Sequence, residues 1–198
     1  MSGLFSRGDD MALFSLDGQR KYLCRSESQR FLRVASGMAE ETRIFCCLLH
    51  FTGCRVSEAL ELTPRRLDVE GGRVVFRTLK RRKRVFRAVP IPSQLMSDLV
   101  RLSRRLGPDE RLWPCCRQTA WRRVKKVMAA ANIDGPQAAP RGLRHQFGVQ
   151  ALRANLSLPL TQRLLGHASP NTTVIYQQVA GDDERDLVGR LWRGYGET

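Results

Sequence analysis

Residues 164–176 mark a boundary between two helices. The stretch opens with an apolar Leu-Leu pair typical of a helix end, and Gly166 suits the left-handed C-cap that stops such a helix. Ser169 is a favourable N-cap for a second helix, and Pro170 then occupies the first helical position, where a missing N–H costs little. The chain around this boundary is therefore predicted to be helical.

The same stretch carries two reactive side chains, His167 in the connection and Tyr176 about two turns into the second helix. A tyrosine hydroxyl has a pKa near ~10, so it needs help to act as a nucleophile at neutral pH. Cationic surroundings and a phosphate target would both provide that help. Taken singly, each residue also has a structural explanation, since a histidine can cap a helix end and a tyrosine can be a core aromatic.

The chain has a large excess of positive charge, with 34 Lys and Arg against 19 Asp and Glu, a net charge of +15 and a pI of about 10.7. Such an excess favours a polyanionic partner, and nucleic acid is the first candidate. A hydrophobic content of 42% supports a packed core, which excludes a disordered basic tail. The 198 residues suit one domain with a short appendage. Charge alone also leaves open a ribosomal or other generic basic protein.

The six cysteines form no CxxC pair, and two pairs are adjacent in sequence, which suits neither zinc nor a disulfide framework. Because the sequence also shows no P-loop and no metal-ligand constellation, we expect no cofactor and no metal. No segment approaches the ~20 apolar residues of a membrane span. Charged residues at Arg7, Asp9 and Asp10 interrupt any signal peptide, so the protein is expected to be cytoplasmic.

Periodicity predicts an α+β fold that is mainly α-helical and contains a small three-stranded antiparallel sheet. A capping box formed by Ser26 and Gln29 predicts a first helix that ends at Gly37. Further helices are predicted over residues 40–51, 56–62, 94–106, 119–131, 141–155 and 159–165, with a last one after residue 182. The strands are predicted over residues 67–69, 73–79 and 84–89, with turns at 70–72 and 80–83.

Two basic clusters are candidates for contact with DNA. One is the tip of the predicted hairpin, which consists of Lys80, Arg81, Arg82 and Lys83. The other lies on the helix from Thr119, whose apolar stripe consists of Trp121, Val124, Val127, Met128 and Ala131 and whose other faces carry Arg122, Arg123, Lys125 and Lys126. Phosphate contact or entry into the major groove fits this helix, and a solvated basic face fits the pattern equally well.

Arg55 opens the helix predicted over residues 56–62, where free N–H groups and the positive end of the helix dipole favour an anion. Its guanidinium can bind two phosphate oxygens at once. Taken alone, Arg55 is explained better as a surface residue, or as an ion-pair partner of Glu58 or Glu61.

Three short sequence motifs are more informative together than any one of them alone. Residues 52–60 read TGCRVSEAL, residues 142–145 read GLRH, and residues 164–176 contain Leu-Gly-His followed, after eight further residues, by a tyrosine. In this order the blocks resemble the two arginine motifs and the nucleophile block of the tyrosine recombinases, the integrase family. The resemblance covers residues 20–195 and implies the tyrosine recombinase catalytic-domain fold.

The resemblance implies a site-specific recombinase that cleaves and rejoins DNA through a 3′-phosphotyrosine intermediate. Tyr176 would attack the scissile phosphate, and Arg55, Arg144 and His167 would bind its non-bridging oxygens, where negative charge accumulates. Because the phosphotyrosine conserves the bond energy, resealing would need neither ATP nor metal.

Two supporting roles follow from the same resemblance. Lys80 would protonate the departing 5′ oxygen, although the long hairpin leaves Lys83 as an alternative. Glu58 would support Arg55 rather than react.

Arg141 departs from the family pattern, because the family usually has histidine at this position. An arginine, with a pKa above ~12, cannot be an ordinary base. Arg141 could instead bind phosphate and lower the pKa of Tyr176. His145 is interpreted as a buried structural histidine rather than a catalytic one.

The expected organisation is a flexible arm over residues 1–20 and a catalytic domain over residues 21–198, without the N-terminal core-binding domain of longer members. The helix within residues 180–198 would dock on its own domain or on a neighbouring subunit. The chain thus resembles short stand-alone members such as the fimbrial-switch recombinases.

The resemblance also implies the partners. The first is double-stranded DNA with an inverted-repeat recombination site. On this DNA the protein, a monomer or weak oligomer alone, would form a homotetramer. An accessory DNA-bending protein would be a further partner, and the location would be the bacterial nucleoid. Two other functions remain open, a DNA-binding regulator that does not cleave and a relative of type IB topoisomerases that relaxes DNA.

Overall fold

The computed structural model describes residues 12–78, 85–167 and 171–178. Within these ranges the α-helices are α1 (Arg25–Ser36), α2 (Glu40–Thr52), α3 (Val56–Leu60), α4 (Ser93–Ser103), α5 (Arg117–Ala130), α6 (Pro140–Arg153), α7 (Leu158–Leu165) and α8 (Asn171–Val174). The strands are β1 (Leu67–Asp68), β2 (Arg73–Thr78) and β3 (Val85–Pro90), and short 3-10 helices span Pro64–Arg66 and Ile175–Gln178. This architecture confirms the predicted α+β, mainly helical fold class.

The three strands form one antiparallel sheet in the order β1-β2-β3. Val74 pairs with Val89 and Phe76 with Arg87, and all four side chains are buried on the same face. Since side chains alternate across a strand, this register places one arginine among the apolar residues of the inner face. The tip of the hairpin, residues 79–84, lies outside the described residues.

The main core surrounds α2, which contacts α1, α4 and α6. Phe31, Phe45 and Trp113 are among its largest fully buried side chains. The rings of Phe45 and Trp113 meet edge to face at 5.1 Å, a favoured geometry for an aromatic pair. Of the helices in the described ranges, none is both long and apolar enough to cross a membrane.

Glycine ends α1, α2 and α7, as predicted. Gly53 after α2 and Gly166 after α7 have φ of 58° and 66°, the left-handed conformation that glycine adopts most easily. Space is restricted as well, because a Cβ added at Gly53 would lie 2.8 Å from Phe147. The predicted N-cap Ser169 and the following Pro170 lie outside the described residues.

The start of α1 differs from the prediction of a box formed by Ser26 and Gln29. The N-cap residue is Cys24, whose N–H donates to the carboxylate of Glu27 at 2.8 Å. Arg20 forms an ion pair with the same carboxylate and holds it in place, so Glu27 rather than Gln29 caps the start of the helix.

Residues 12–20, part of the segment predicted as a loose arm, form a turn bridged between Phe14 and Arg20. Leu13 is buried there with Tyr22, Val149, Leu165 and Tyr176 in a second, smaller apolar cluster. Residues 1–11 lie outside the described residues.

Helix α5 also corrects one prediction. The predicted apolar stripe includes Trp121, but this side chain is 46% exposed, and Ala120 lies in the core instead. The ring of Trp121 lies 5.9 Å from the ammonium of Lys125, a cation–π contact at the surface.

Candidate active site

Arg55 and Glu58 are coupled at the start of α3, where Arg55 is the N-cap residue. Glu58 accepts hydrogen bonds from the Arg55 backbone N–H at 2.9 Å and from its Nη1 at 3.0 Å. The carboxylate is buried, whereas 26% of the Arg55 side chain remains exposed. Glu61, the other suggested partner, pairs with Arg77 and Arg111 instead. The side-chain bond to Glu58 uses one nitrogen of the Arg55 guanidinium, which leaves further N–H donors for an anion.

Arg144 lies buried on α6 and reaches two helix ends. Its Nη1 donates to the carbonyl of Gly53 at 2.7 Å and its Nη2 to the carbonyl of Leu165 at 2.9 Å. Burial, together with the nearby charge of Arg55, lowers the pKa of Arg144 to about 10. It therefore stays cationic at neutral pH, and its two partners are neutral carbonyls that leave this charge uncompensated.

His167 and Tyr176 meet across the helix boundary seen in the sequence. His167 Nδ1 lies 2.8 Å from the hydroxyl of Thr173, and its ring stacks on that of Tyr176 at 6.2 Å. The phenol oxygen of Tyr176 lies 3.3 Å from Nδ1 of His145. Tyr176 is only 1% exposed, and a Cβ at Gly148 would lie 2.4 Å from its ring, so glycine makes room for the ring on α6.

The charges of these residues act on one another. Burial lowers the pKa of His167 to about 3, and Arg144 and Arg55 add to the effect, so its imidazole is neutral at physiological pH. Burial raises the pKa of Tyr176 to about 12, although Arg144 and Arg55 oppose this rise. The fold thus brings these four predicted residues into one electrostatically coupled site, with the phenol protonated and covered.

Of the other predicted site residues, Glu58 contacts Arg55 and His145 contacts Tyr176, whereas Arg141 is exposed and the two candidate lysines lie outside the described ranges. Arg141 is exposed in the first turn of α6, unlike its buried neighbours Arg144 and His145. The candidate general acids Lys80 and Lys83 fall within residues 79–84, outside the described residues, as do Arg81 and Arg82.

The basic face predicted on the helix from Thr119 belongs to α5. Arg122 and Lys126 are exposed there, and Lys125 is half-buried beside Trp121. Arg123 makes a long ion pair of 3.4 Å with Glu41. The cationic groups are therefore accessible at the surface.

Arg87 belongs to this neighbourhood but lies in none of the three sequence motifs. It is buried on β3 and donates to both oxygens of Glu58, at 2.7 and 3.1 Å. The signal was present, because strict alternation from Val85 to Val89 places residue 87 on the inner face, where a charge needs a partner. In the described part of the chain, no group of three or more His, Cys, Asp or Glu side chains is arranged to hold a metal ion.

Comparison with known proteins gives this geometry a family. The Phage integrase family model matches residues 21–182. The chain is 31% identical over 183 residues to tyrosine recombinase XerA of Pyrococcus furiosus, which covers 86% of this chain and 61% of the relative. It is 33% identical over 162 residues to tyrosine recombinase XerD of Corynebacterium glutamicum, covering 74% of this chain and 50% of the relative. The chain thus spans about half to three fifths of these relatives.

Solved structures show the same fold. The crystal structure of XerA recombinase superposes with a TM-score of 0.71 at 26% identity, over 85% of this chain and 62% of that one. The catalytic domain of bacteriophage HP1 integrase gives a TM-score of 0.62 at 21% identity, over 85% of this chain and 93% of that one. The protein therefore belongs to the phage integrase family and has the catalytic-domain fold of the tyrosine recombinases.

Proposed function

We propose that this protein is a site-specific DNA recombinase that cleaves and rejoins DNA through a 3′-phosphotyrosine at Tyr176, without ATP or metal. The observation that carries the proposal is that Arg144 donates to the carbonyls of Gly53 and Leu165, two residues before Arg55 and His167, while the ring of His167 stacks on that of Tyr176. Relatives named tyrosine recombinases support the same chemistry.

The two arginines bind the scissile phosphate in this mechanism. Arg144 keeps unused N–H donors beyond its two carbonyl contacts, and Arg55 keeps donors beyond its contact with Glu58. Both charges favour the extra negative charge of the pentavalent transition state. The neutral imidazole of His167, held by Thr173, adds a hydrogen bond to a non-bridging oxygen.

Attack by Tyr176 requires that its phenol lose a proton and reach the phosphorus atom. The phenol oxygen forms the new P–O bond while the bond to the 5′ oxygen breaks. His145 Nδ1, 3.3 Å from the phenol oxygen, is placed to accept the phenolic proton. Arg141, at the usual histidine position, contributes charge rather than a base. Lys80, or Lys83, supplies a proton to the 5′ oxygen. DNA binding must first uncover Tyr176, because it is 1% exposed.

The partners belong to the same proposal. Solved relatives include XerH bound to a difH substrate and the Tn1549 transposon integrase in complex with transposon right-end DNA. We extend this to inverted-repeat duplex DNA for our chain, with the exposed face of α5 and the hairpin tip touching phosphates. The proposal also includes a homotetramer that forms on DNA and exchanges a segment within residues 180–198 between subunits. It further includes an accessory DNA-bending protein and a location in the bacterial cytoplasm.

Covalent capture on nicked duplexes tests the function. A library of nicked duplexes with randomised arms is incubated with the protein, and adducts that resist detergent are recovered and sequenced. The expected result is an adduct whose phosphopeptide contains Tyr176 and which disappears in Tyr176→Phe. Tyr22→Phe is the matched control, since Tyr22 lies in the same apolar cluster and should leave the adduct intact.

A DNA-binding regulator that does not cleave is the second candidate, and it is favoured by the deeply covered phenol and by Arg141. It predicts enrichment of specific duplexes without any adduct. Relaxation of a plasmid lacking the captured site would instead indicate a topoisomerase-like activity.

A further inference from the structure

Arg87 lies at the centre of a buried network that joins the sheet to the site. Besides its two bonds to Glu58, its Nε donates to the carbonyl of Leu164 at 2.9 Å, and its Nη1 lies 3.4 Å from the hydroxyl of Thr78. Its side chain is 4% exposed and that of Glu58 is 0% exposed. These contacts hold the guanidinium in one position, so its positive charge stays beside Glu58.

Glu58 stands between two arginines. It faces buried Arg87 with both oxygens and half-exposed Arg55 with one side-chain bond. Burial opposes ionisation of Glu58, but hydrogen bonds and charge from Arg87, with help from Arg55, lower its pKa below the usual value. The carboxylate is therefore ionised at neutral pH.

Charge accounting separates the roles of the two arginines. One carboxylate and two guanidinium groups leave one positive charge, and Arg144, bound to carbonyls, adds a second. If Arg87 were neutral, Glu58 would compensate Arg55 instead, and the pair would lose its attraction for a phosphate.

We propose that Arg87 is a positioning residue for DNA cleavage, which neutralises Glu58 so that Arg55 presents its full charge to the scissile phosphate. This role rests on the proposed function. It differs from simple stabilisation, because a buried ion pair contributes little stability compared with apolar residues of the same volume.

The neighbouring backbone is built around this guanidinium. A Cβ at Gly166 would lie 2.8 Å from Nη1 of Arg87, and the bonded carbonyl of Leu164 is at the end of α7. The connection that leads to His167 therefore passes directly over the buried pair. This contact keeps Arg87 from turning away from Glu58.

Three variants test the role on the duplex captured by the wild-type protein. Arg87→Gln leaves Glu58 unbalanced, Glu58→Gln with Arg87→Gln removes both charges, and Arg43→Gln is the matched control. Arg43 pairs with nearly buried Asp98 at 2.5 Å between α2 and α4, so the control breaks a comparable ion pair outside the site. The readouts are the single-turnover rate of adduct formation at saturating DNA and the Kd measured in a Tyr176→Phe background.

We expect Arg87→Gln to slow adduct formation by about 100-fold, because Glu58 would then compensate the charge of Arg55, an effect comparable to the loss of one charged donor at the reacting phosphate. Its Kd should change by less than about threefold, because most DNA affinity comes from many dispersed phosphate contacts. The double variant should recover at least about tenfold of the lost rate, since Arg55 is again uncompensated. The control should lose stability and keep its rate, a pattern that a purely structural role of Arg87 would share.

The opposite results are equally clear. A folded Arg87→Gln protein that cleaves at the wild-type rate, or a folded double variant as slow as the single variant, would overturn the proposal. If Arg87→Gln does not fold, the double variant decides the question, because it buries no unpaired charge. A wild-type protein that gives no adduct with any duplex would contradict the proposed function itself.

Discussion

The ring of Tyr176 packs against Gly148 of α6, and a larger residue at position 148 should displace it. A Cβ at Gly148 would lie 2.4, 2.5 and 2.7 Å from three ring carbons of Tyr176. These distances are far below van der Waals contact, so the ring must move in Gly148→Ala. Gly148 lies inside a helix and does not have a positive φ, so its backbone accepts alanine without strain.

Two effects of opposite sign set the magnitude. Overpacking a buried site costs about 1–3 kcal/mol, whereas alanine in place of glycine within a helix gains about 0.5–1 kcal/mol. Gly148→Ala should therefore destabilise the wild-type protein by up to about 2.5 kcal/mol. In a Tyr176→Ala background the ring is absent, and the same change should stabilise by about 0.5–1 kcal/mol.

Urea denaturation followed by circular dichroism at the helical band measures all four proteins of this double-mutant cycle. The reasoning predicts a coupling free energy of about 1–3 kcal/mol between the two positions. An equal effect of Gly148→Ala in both backgrounds would refute the idea that α6 leaves this space for the ring.

Two further predictions concern buried histidines. Burial lowers the pKa of His50 to about 4, so the unfolded chain binds a proton that the native protein does not between about pH 6.5 and pH 4. His50 should lower the free energy of unfolding by about 3 kcal/mol as pH decreases through that window, and buried His167 should add a similar loss. His50→Phe should therefore remove about half of the pH-dependent loss in urea titrations, and an unchanged slope would contradict it. Thr173→Val removes the 2.8 Å partner of His167 and should slow adduct formation by about tenfold, with a wild-type rate as the contrary result.

The elements that local sequence rules determine were predicted well. Gly53 and Gly166 end their helices in the left-handed conformation, because few other residues adopt it without cost. The alternation of β2 and β3 gave the antiparallel hairpin and its inner face. These features depend on neighbours in sequence, which is the information a pattern contains.

The features that were missed depend on contacts between distant segments. Glu27, which caps Cys24 rather than Ser26 at the start of α1, is held by Arg20 and also by Gln137, which lies 110 residues further along the chain. The exposure of Trp121 depends on which face of α5 meets α1 and α3, and not on the helix alone.

The candidate site shows the same division. Motif spacing selected Arg55, Arg144, His167 and Tyr176. The fold brings their segments together, because Arg144 donates to the carbonyls of Gly53 and Leu165 and the rings of His167 and Tyr176 stack. Motif spacing could not show that Tyr176 is buried. Its burial depends on packing against Leu13, which is distant in sequence, and against Val149 and Gly148 of α6.

The most direct test of the central claim is the location of a bound phosphate analogue. In a crystal grown with tungstate, an oxyanion of high scattering power, the account predicts one anion within hydrogen-bond distance of both Arg55 and Arg144 guanidinium groups and close to His167. Tungstate bound at one of these arginines without the other, or elsewhere on the surface while the site stays empty, would contradict the claim that both arginines serve a single phosphate.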